Sequence, residues 1–231
     1  MKKSHFGTEQ YNNRYKTSSE RAPRNVIKLF VNKYLKKGQS CLDLGCGGGR
    51  HSEYLAKQGL NVTAIDLSAV GVEKTKELLK KYPNSIAMVA NMHTLPFKEN
   101  SFDCLISNRV LDHNDTGGAE TTMSEISRVL KPYSMIFITV ASIRQNIGTN
   151  NKILEQNEFG GITFIKAESE ILHHYYSKDE IRELAKNNNF EVVEITENTK
   201  IDQKGDLKIE LQITMRKIEN AIYNVKKMFQ K

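Results

Sequence analysis

The chain has 231 residues, 39% of them hydrophobic, and carries a formal net charge of +7 at pH 7. That length suits one α/β domain with a sizeable core, no run of about eighteen apolar residues is present to cross a bilayer, and the opening Met1-Lys2-Lys3-Ser4-His5-Phe6 lacks the apolar stretch of a secretory signal, so a soluble cytoplasmic protein is expected. Three cysteines, Cys41, Cys46 and Cys104, without C-x-x-C spacing, suit free thiols and exclude a disulfide framework or a zinc knuckle.

Hydrophobic periodicity predicts a first helix with Ile27, Phe30, Val31, Tyr34 and Leu35 on one face, Pro23 standing near its start where a missing amide is harmless. A first strand follows at 40–44, a helix at 50–57, and Gly59 marks the turn into a second strand at 61–65. Val72, Thr75, Leu79 and Tyr82 line the next helix, 86–90 forms a third strand and 101–107 a fourth. Met123, Ile126, Val129 and Leu130 mark the helix before a fifth strand at 135–140. Strands and helices in alternation imply a parallel sheet.

The last third changes character. A long connection runs from Ala141 to Tyr176, and Ser177-Lys178-Asp179-Glu180 is a capping box that opens a helix through Ile181, Leu184 and Ala185. Strand 190–195 is followed by a clean alternation in which Leu207, Ile209, Leu211, Ile213 and Met215 oppose Lys208, Glu210, Gln212 and Thr214. Such a strand has one wet face or lies at an antiparallel edge. Two closing strands around Gly205 therefore form a hairpin, and Ile218, Ile222, Val225 and Phe229 suggest a terminal helix, docked or in a homodimer contact. The expected organisation is a single domain over 1–231: a basic cap at 1–37, a ligand-binding core at 38–140, a covering insertion at 141–176, a closing helix and hairpin at 177–217 and a terminal helix at 218–231.

Charge is uneven, with ten Lys and Arg against two acids in residues 1–37 and eight against four in 198–231, while the middle is acidic. These charges are scattered and mostly lysine, without the arginine stripe and interleaved aromatics of a nucleic-acid groove, so they read as solvated surface.

The chemistry is concentrated in Cys41-Leu42-Asp43-Leu44-Gly45-Cys46-Gly47-Gly48-Gly49, and in Val62-Thr63-Ala64-Ile65-Asp66. A strand running into a glycine loop, beside a strand that ends in a carboxylate, lets backbone approach a nucleotide-like ligand while the acid reaches two ribose hydroxyls. A dinucleotide fingerprint fails at its third glycine, where Arg50 stands, and a P-loop fails because Arg50-His51-Ser52 supplies no lysine. The run instead resembles motif I of the class I S-adenosylmethionine-dependent methyltransferases of the small-molecule type, D-x-G-x-G-x-G, as Asp43, Gly45, Gly47 and Gly49. Asn91-Met92-His93-Thr94-Leu95-Pro96-Phe97 resembles the family's adenine loop, and the likeness extends over about residues 25–217.

The resemblance implies a Rossmann-like, doubly wound, seven-stranded sheet, mostly parallel, with an antiparallel C-terminal edge hairpin and helices on both faces. It implies that S-adenosyl-L-methionine is the cofactor and S-adenosyl-L-homocysteine the product. Asp43 would face the methionine end, Asp66 the ribose, and Asn91 and Met92 the adenine. Gly45, Cys46, Gly47 and Leu67 would complete the cradle, with Ser107 and Asn108 as its floor.

The acceptor is expected to be a small molecule. Asn/Asp-Pro-Pro-Tyr/Phe, the run used for base amino groups, is replaced by Ser107-Asn108-Arg109-Val110-Leu111, and no cysteine is placed for attack on a cytosine. The alternatives are an RNA methyltransferase acting on tRNA or rRNA and a non-catalytic S-adenosylmethionine-binding accessory protein. Tyr11, Tyr15, His113, His174 and Tyr175 are expected around the acceptor. A base to take its proton is sought at His113, beside Asp112, or at His173 or His174, only one of which can face the pocket if they share a strand. His5 and His51 are read as bystanders and His93 as packing; no metal site is expected.

Overall fold

The computed structural model describes residues 8–17, 22–169, 171–202 and 205–219. Its main sheet has seven strands in the order β3-β2-β1-β4-β5-β10-β9. Here β1 is Ser40–Leu44, β2 Asn61–Asp66, β3 Ile86–Val89, β4 Phe102–Asn108, β5 Leu130–Ala141, β9 Phe190–Ile201 and β10 Leu207–Lys217. The first five pair in parallel; β10 runs antiparallel to both β5 and β9. Central β1 is flanked by β2 and β4, with Asp43 level with Ala64 on one side and Ile106 on the other. The chain leaves β1 toward β2 and β3 and returns on its other side as β4, so the crevice above β1 is the switch point where α/β sheets bind ligands.

Helices cover both faces. The face of α2 (Asn25–Tyr34), α3 (Arg50–Lys57) and α4 (Ala69–Leu79) buries Ile27, Phe30, Leu55, Val72 and Leu79 against Cys41, Val62, Cys104 and Phe137. The opposite face, under α5 (Thr116–Val129) and α6 (Lys178–Asn187), buries Met123, Ile126, Ile181 and Leu184 against Leu105, Ile136 and Ile213. The central strands β1 and β4 are covered on both faces, which is why they read as mostly apolar runs, whereas β3 and β9 at the two edges keep exposed positions. All three cysteines are buried and unbridged.

Three features depart from the pattern read along the chain. The long connection from Ala141 to Tyr176 is not a loop: β6 (Lys152–Gln156), β7 (Ile162–Ile165) and β8 (Leu172–Tyr175) form a second antiparallel sheet. The alternating strand β10 is not the edge, because β9 pairs outside it. Glu210, expected on a wet face, is only 7% exposed, while Leu207 is 45% exposed. An N-terminal helix, α1 (Thr8–Thr17), forms where the sequence has no apolar stripe, and it rests on α4. The proposed terminal helix from Ile218 lies outside the described residues beyond Glu219.

Candidate active site

The strand ends build a cleft of about 1110 Å³ from the glycine loop, the end of β2 and the end of β4, roofed by α1. Gly45 and Gly47 sit at φ +76° and +56°, in the left-handed region that side chains avoid. A Cβ on Gly45 would collide with the Val110 side chain, and one on Gly47 would lie 2.5 Å from the Tyr15 hydroxyl, so the loop is closely packed from both sides.

Asp66 organises this loop. Its Oδ2 accepts from the Gly47 amide at 2.8 Å and its Oδ1 from the Ser68 amide at 2.8 Å. Ser68 caps α4 through the Gly71 amide, and its hydroxyl donates to Asn12 Oδ1 at 2.6 Å, tying α1 to the start of α4. Leu67, Ala90 and Met92 line the same end of the cleft.

The other end is charged. Arg24, the residue before α2, grips Glu210 of β10 with Nη1 and Nη2 at 2.9 and 2.7 Å, and its Nη1 also donates to Asn108 Oδ1 at 2.7 Å. Arg109, at φ +60°, pairs with buried Asp112, which also accepts from the Ala141 amide at 2.8 Å. Asp112 is therefore held away from its neighbour His113 and does not orient it. The His113 ring lines the cleft, 5.2 Å from Tyr11 and 5.1 Å from His173, centroid to centroid, both edge-on.

Of the residues singled out from sequence, Gly45, Cys46, Gly47, Asp66, Leu67, Met92, Asn108, Tyr11, Tyr15 and His113 share this cleft. Six others do not line it. Asp43 is 2% exposed and receives the Ser52 hydroxyl at 2.6 Å. Ser107 is 1% exposed within β4, paired between β1 and β5, and it is the next residue, Asn108, that reaches the cleft. Asn91 is exposed, its Oδ1 taken by the His93 amide at 2.9 Å. His174 is fully buried between Thr163 Oγ1 at 2.7 Å and Glu180 Oε1 at 2.8 Å, behind the small sheet. The Tyr175 hydroxyl accepts from Gln145 Nε2 at 2.6 Å. His173 faces the opposite way from His174, as strand alternation requires, and stacks on Phe164 next to His113. Sequence reasoning missed Arg24, His51, Lys200 and Glu210, which line the cleft. His51 alone had a signal, its place directly after the glycine loop. Among the described residues, no three His, Cys, Asp or Glu side chains converge on a metal position.

Burial moves three protonation equilibria across the range between pH 3 and 7. The Asp43 carboxyl rises from 3.8 to about 7, chiefly by desolvation and also by the nearby Asp66 charge. His51 and His173 fall from 6.5 to about 3, by desolvation first and then by the cations Arg50 and Arg24 for His51 and by His113 for His173. Asp43 favours the acid side: its contribution to stability is complete below pH 3.8 and is lost as pH climbs to about 7. The two histidines act oppositely, contributing fully above pH 6.5 and losing it as pH falls toward 3. Between pH 6.5 and 5 two imidazoles outweigh one carboxyl, and the protein is expected to lose about 1.5 kcal/mol of unfolding free energy. Urea midpoints at the two pH values measure this. In a His51→Gln/His173→Gln variant Asp43 is the dominant shifted group in this window, and the dependence should reverse sign.

A seven-stranded sheet with an antiparallel edge hairpin, and a glycine loop hydrogen-bonded to the acid ending β2, define a Rossmann-like fold of the methyltransferase type. A methyltransferase domain profile matches residues 42–138, spanning the glycine loop through β5. The methyltransferase YodH of Bacillus subtilis, itself uncharacterized, is 33% identical over 133 residues, 57% of this chain and 55% of that one. A Burkholderia thailandensis 1,6-didemethyltoxoflavin-N1-methyltransferase, solved with 1,6-didemethyltoxoflavin and S-adenosylhomocysteine, superposes with a TM-score of 0.66 at 22% identity, covering 85% of this chain and 78% of that one. A methyltransferase structure from Methanosarcina mazei gives a TM-score of 0.66 at 19% identity, over 87% of this chain and all of that one. Residues 42–138 match the methyltransferase domain family, and the fold is that of the class I S-adenosylmethionine-dependent methyltransferases. It spans about half the length of the curated relatives it matches.

Proposed function

We propose that the protein binds S-adenosylmethionine in this cleft and transfers its methyl group to a small-molecule acceptor, releasing S-adenosylhomocysteine. The observation that carries the reading is Asp66, whose carboxylate holds the glycine loop through Gly47 while lining the cleft. Its oxygens accept the Gly47 and Ser68 amides, which fixes the carboxylate at the cleft wall, and a carboxylate is the acceptor that a ribose diol requires. The donor set fits the cofactor: a carboxylate for the diol, apolar Leu67, Ala90 and Met92 for the base, and a glycine loop that admits close backbone approach.

When bound, S-adenosylmethionine supplies a methyl group on a positively charged sulfur. The protein's part is to position, desolvate and manage a proton. Tyr11 and Tyr15 on α1 cover the cleft and exclude water. His113, in the short turn Leu111–His113 that follows β4 and edge-on to Tyr11, lines the cleft where it can take the acceptor's proton.

The size of acceptor is supported by the roof of α1 over the cleft and by the small heteroaromatic ligand named in the toxoflavin methyltransferase. Arg24 and Arg109, the arginines at the acceptor end, are engaged with Glu210 and Asp112 rather than offered to a phosphate backbone, which weighs against RNA.

Calorimetric titration with S-adenosylmethionine and S-adenosylhomocysteine, with NAD as control, tests the reading. Micromolar binding of both and none of NAD is expected, followed by S-adenosylhomocysteine release in an acceptor screen. Tight cofactor binding without turnover on any acceptor would favour the accessory-protein alternative. No binding of either nucleoside would overturn the cofactor assignment.

A further inference from the structure

The turn that leaves β4 carries a strained arginine. Arg109 sits at φ +60°, a left-handed backbone that non-glycine residues hold only where the surroundings enforce it, and such strain gathers at ligand sites. Its amide donates to the Thr139 carbonyl at 3.0 Å, and its Nε donates to Asp112, whose other oxygen accepts the Ala141 amide at 2.8 Å. Asp112 is 1% exposed, so the guanidinium is anchored from behind through one nitrogen. The rest of it lines the cleft, and Nη1 and Nη2 make no hydrogen bond among the described residues. Four N–H donors are thereby held ready for a ligand.

The neighbours specify the ligand's charge and shape. At this end of the cleft Arg24 is balanced by Glu210 and Arg109 by Asp112, whereas Lys200 makes no ion pair among the described residues. Lys200 lies two positions beyond Asn198, the residue of β9 opposite Glu210, and so shares the face of the sheet on which Glu210 stands. One surplus positive charge matches the single negative charge of a carboxylate, and the two terminal nitrogens of a guanidinium offer parallel N–H groups to its two oxygens. The adjoining wall is aromatic, with Tyr11 and His113 edge-on at 5.2 Å, and suits a flat ring.

We propose that Nη1 and Nη2 of Arg109 form an anchoring subsite for a carboxylate on the acceptor, which makes the acceptor an aromatic or heteroaromatic acid. The assignment deepens the small-molecule reading above and rests on it. These nitrogens lie inside the cleft that α1 roofs, where a small ligand reaches them and the phosphates of a polymer do not.

The test titrates benzoate, and benzamide as its uncharged counterpart, into the protein saturated with S-adenosylhomocysteine, followed by ligand-observed NMR. Wild type is expected to bind benzoate about tenfold or more tightly than benzamide. Arg109→Lys keeps a cation for Asp112 but has a single nitrogen to share, and Arg109→Gln removes the charge; each is expected to lose the preference while S-adenosylhomocysteine affinity is unchanged. Thermal midpoints establish that each variant is folded. Wild type alone gives a further readout that no folding defect touches: benzoate, but not benzamide, slows modification of Arg109 by phenylglyoxal, located by peptide mapping. Equal binding of benzoate and benzamide to wild type, a preference that survives Arg109→Lys, or modification of Arg109 that benzoate does not slow overturns the proposal. So does an Arg109→Lys protein that binds S-adenosylhomocysteine more weakly but 5′-methylthioadenosine, the same nucleoside without the amino-acid end, normally, because the anion met there is then the cofactor's own. Wild type that fails to bind S-adenosylhomocysteine overturns the cofactor reading instead, and the same two titrations of the free protein still decide whether Arg109 holds a carboxylate.

Discussion

Asp66→Ala is expected to weaken S-adenosylmethionine binding by about 3 kcal/mol, roughly a hundredfold in Kd, the upper range for hydrogen bonds to a charged group. Two losses combine. The ribose hydroxyls lose their acceptor, and the Gly47 and Ser68 amides, each held at 2.8 Å, are released so that the glycine loop is no longer set for a ligand. Asp66→Asn is not expected to rescue. Both carboxylate oxygens accept a backbone amide, so an amide side chain places its NH2 against one of those donors. Calorimetry on both variants checks this; an unchanged Kd in Asp66→Ala would remove that residue from the site.

Glu210→Ala is expected to cost about 2–3 kcal/mol of stability, somewhat less than the 3–5 kcal/mol typical of breaking a fully buried pair, because Arg24 also meets cleft water. The side chains of Arg24 and Glu210 are 22% and 9% exposed, and their bidentate contact joins the start of α2 to the middle of β10. Arg24→Met should cost a similar amount, by leaving Glu210 charged and unpaired. An Arg24→Met/Glu210→Leu double variant should recover most of the loss, since neither charge then remains to be buried alone. Urea denaturation of the four proteins closes the cycle. Strictly additive losses would mean that the pair contributes nothing to holding the cap on the sheet.

The parallel core was legible because its strands are buried on both faces. Runs such as Cys104–Ile106 and Ile136–Ile138 have no polar phase to confuse, and the helices between the strands carry apolar stripes that match the faces they bury. The closing hairpin was legible for a related reason, its long alternation, but that same alternation misled at Glu210. A local pattern assigns Glu210 to solvent; β9, the end of β5 and Arg24 convert its position into a lined cleft. The insertion at 141–176 was opaque because its strands are short and β6 is exposed throughout, so it has no periodic burial to read.

Local chemistry alone therefore pointed to the class of ligand and placed the glycine-loop half of the cleft. The glycine spacing after β1 and the acid ending β2 lie within one β-α-β unit, where chain connectivity leaves little freedom in how the pieces meet. The tertiary structure decided everything that depends on convergence from distant elements: that Asp43 meets Ser52, that His113 meets Tyr11 while His174 is sealed against Glu180, and that Arg24, His51 and Glu210 share a corner. Such residues are up to 186 positions apart, as Arg24 and Glu210 are, and a side chain's direction across that separation is set by packing rather than by anything local.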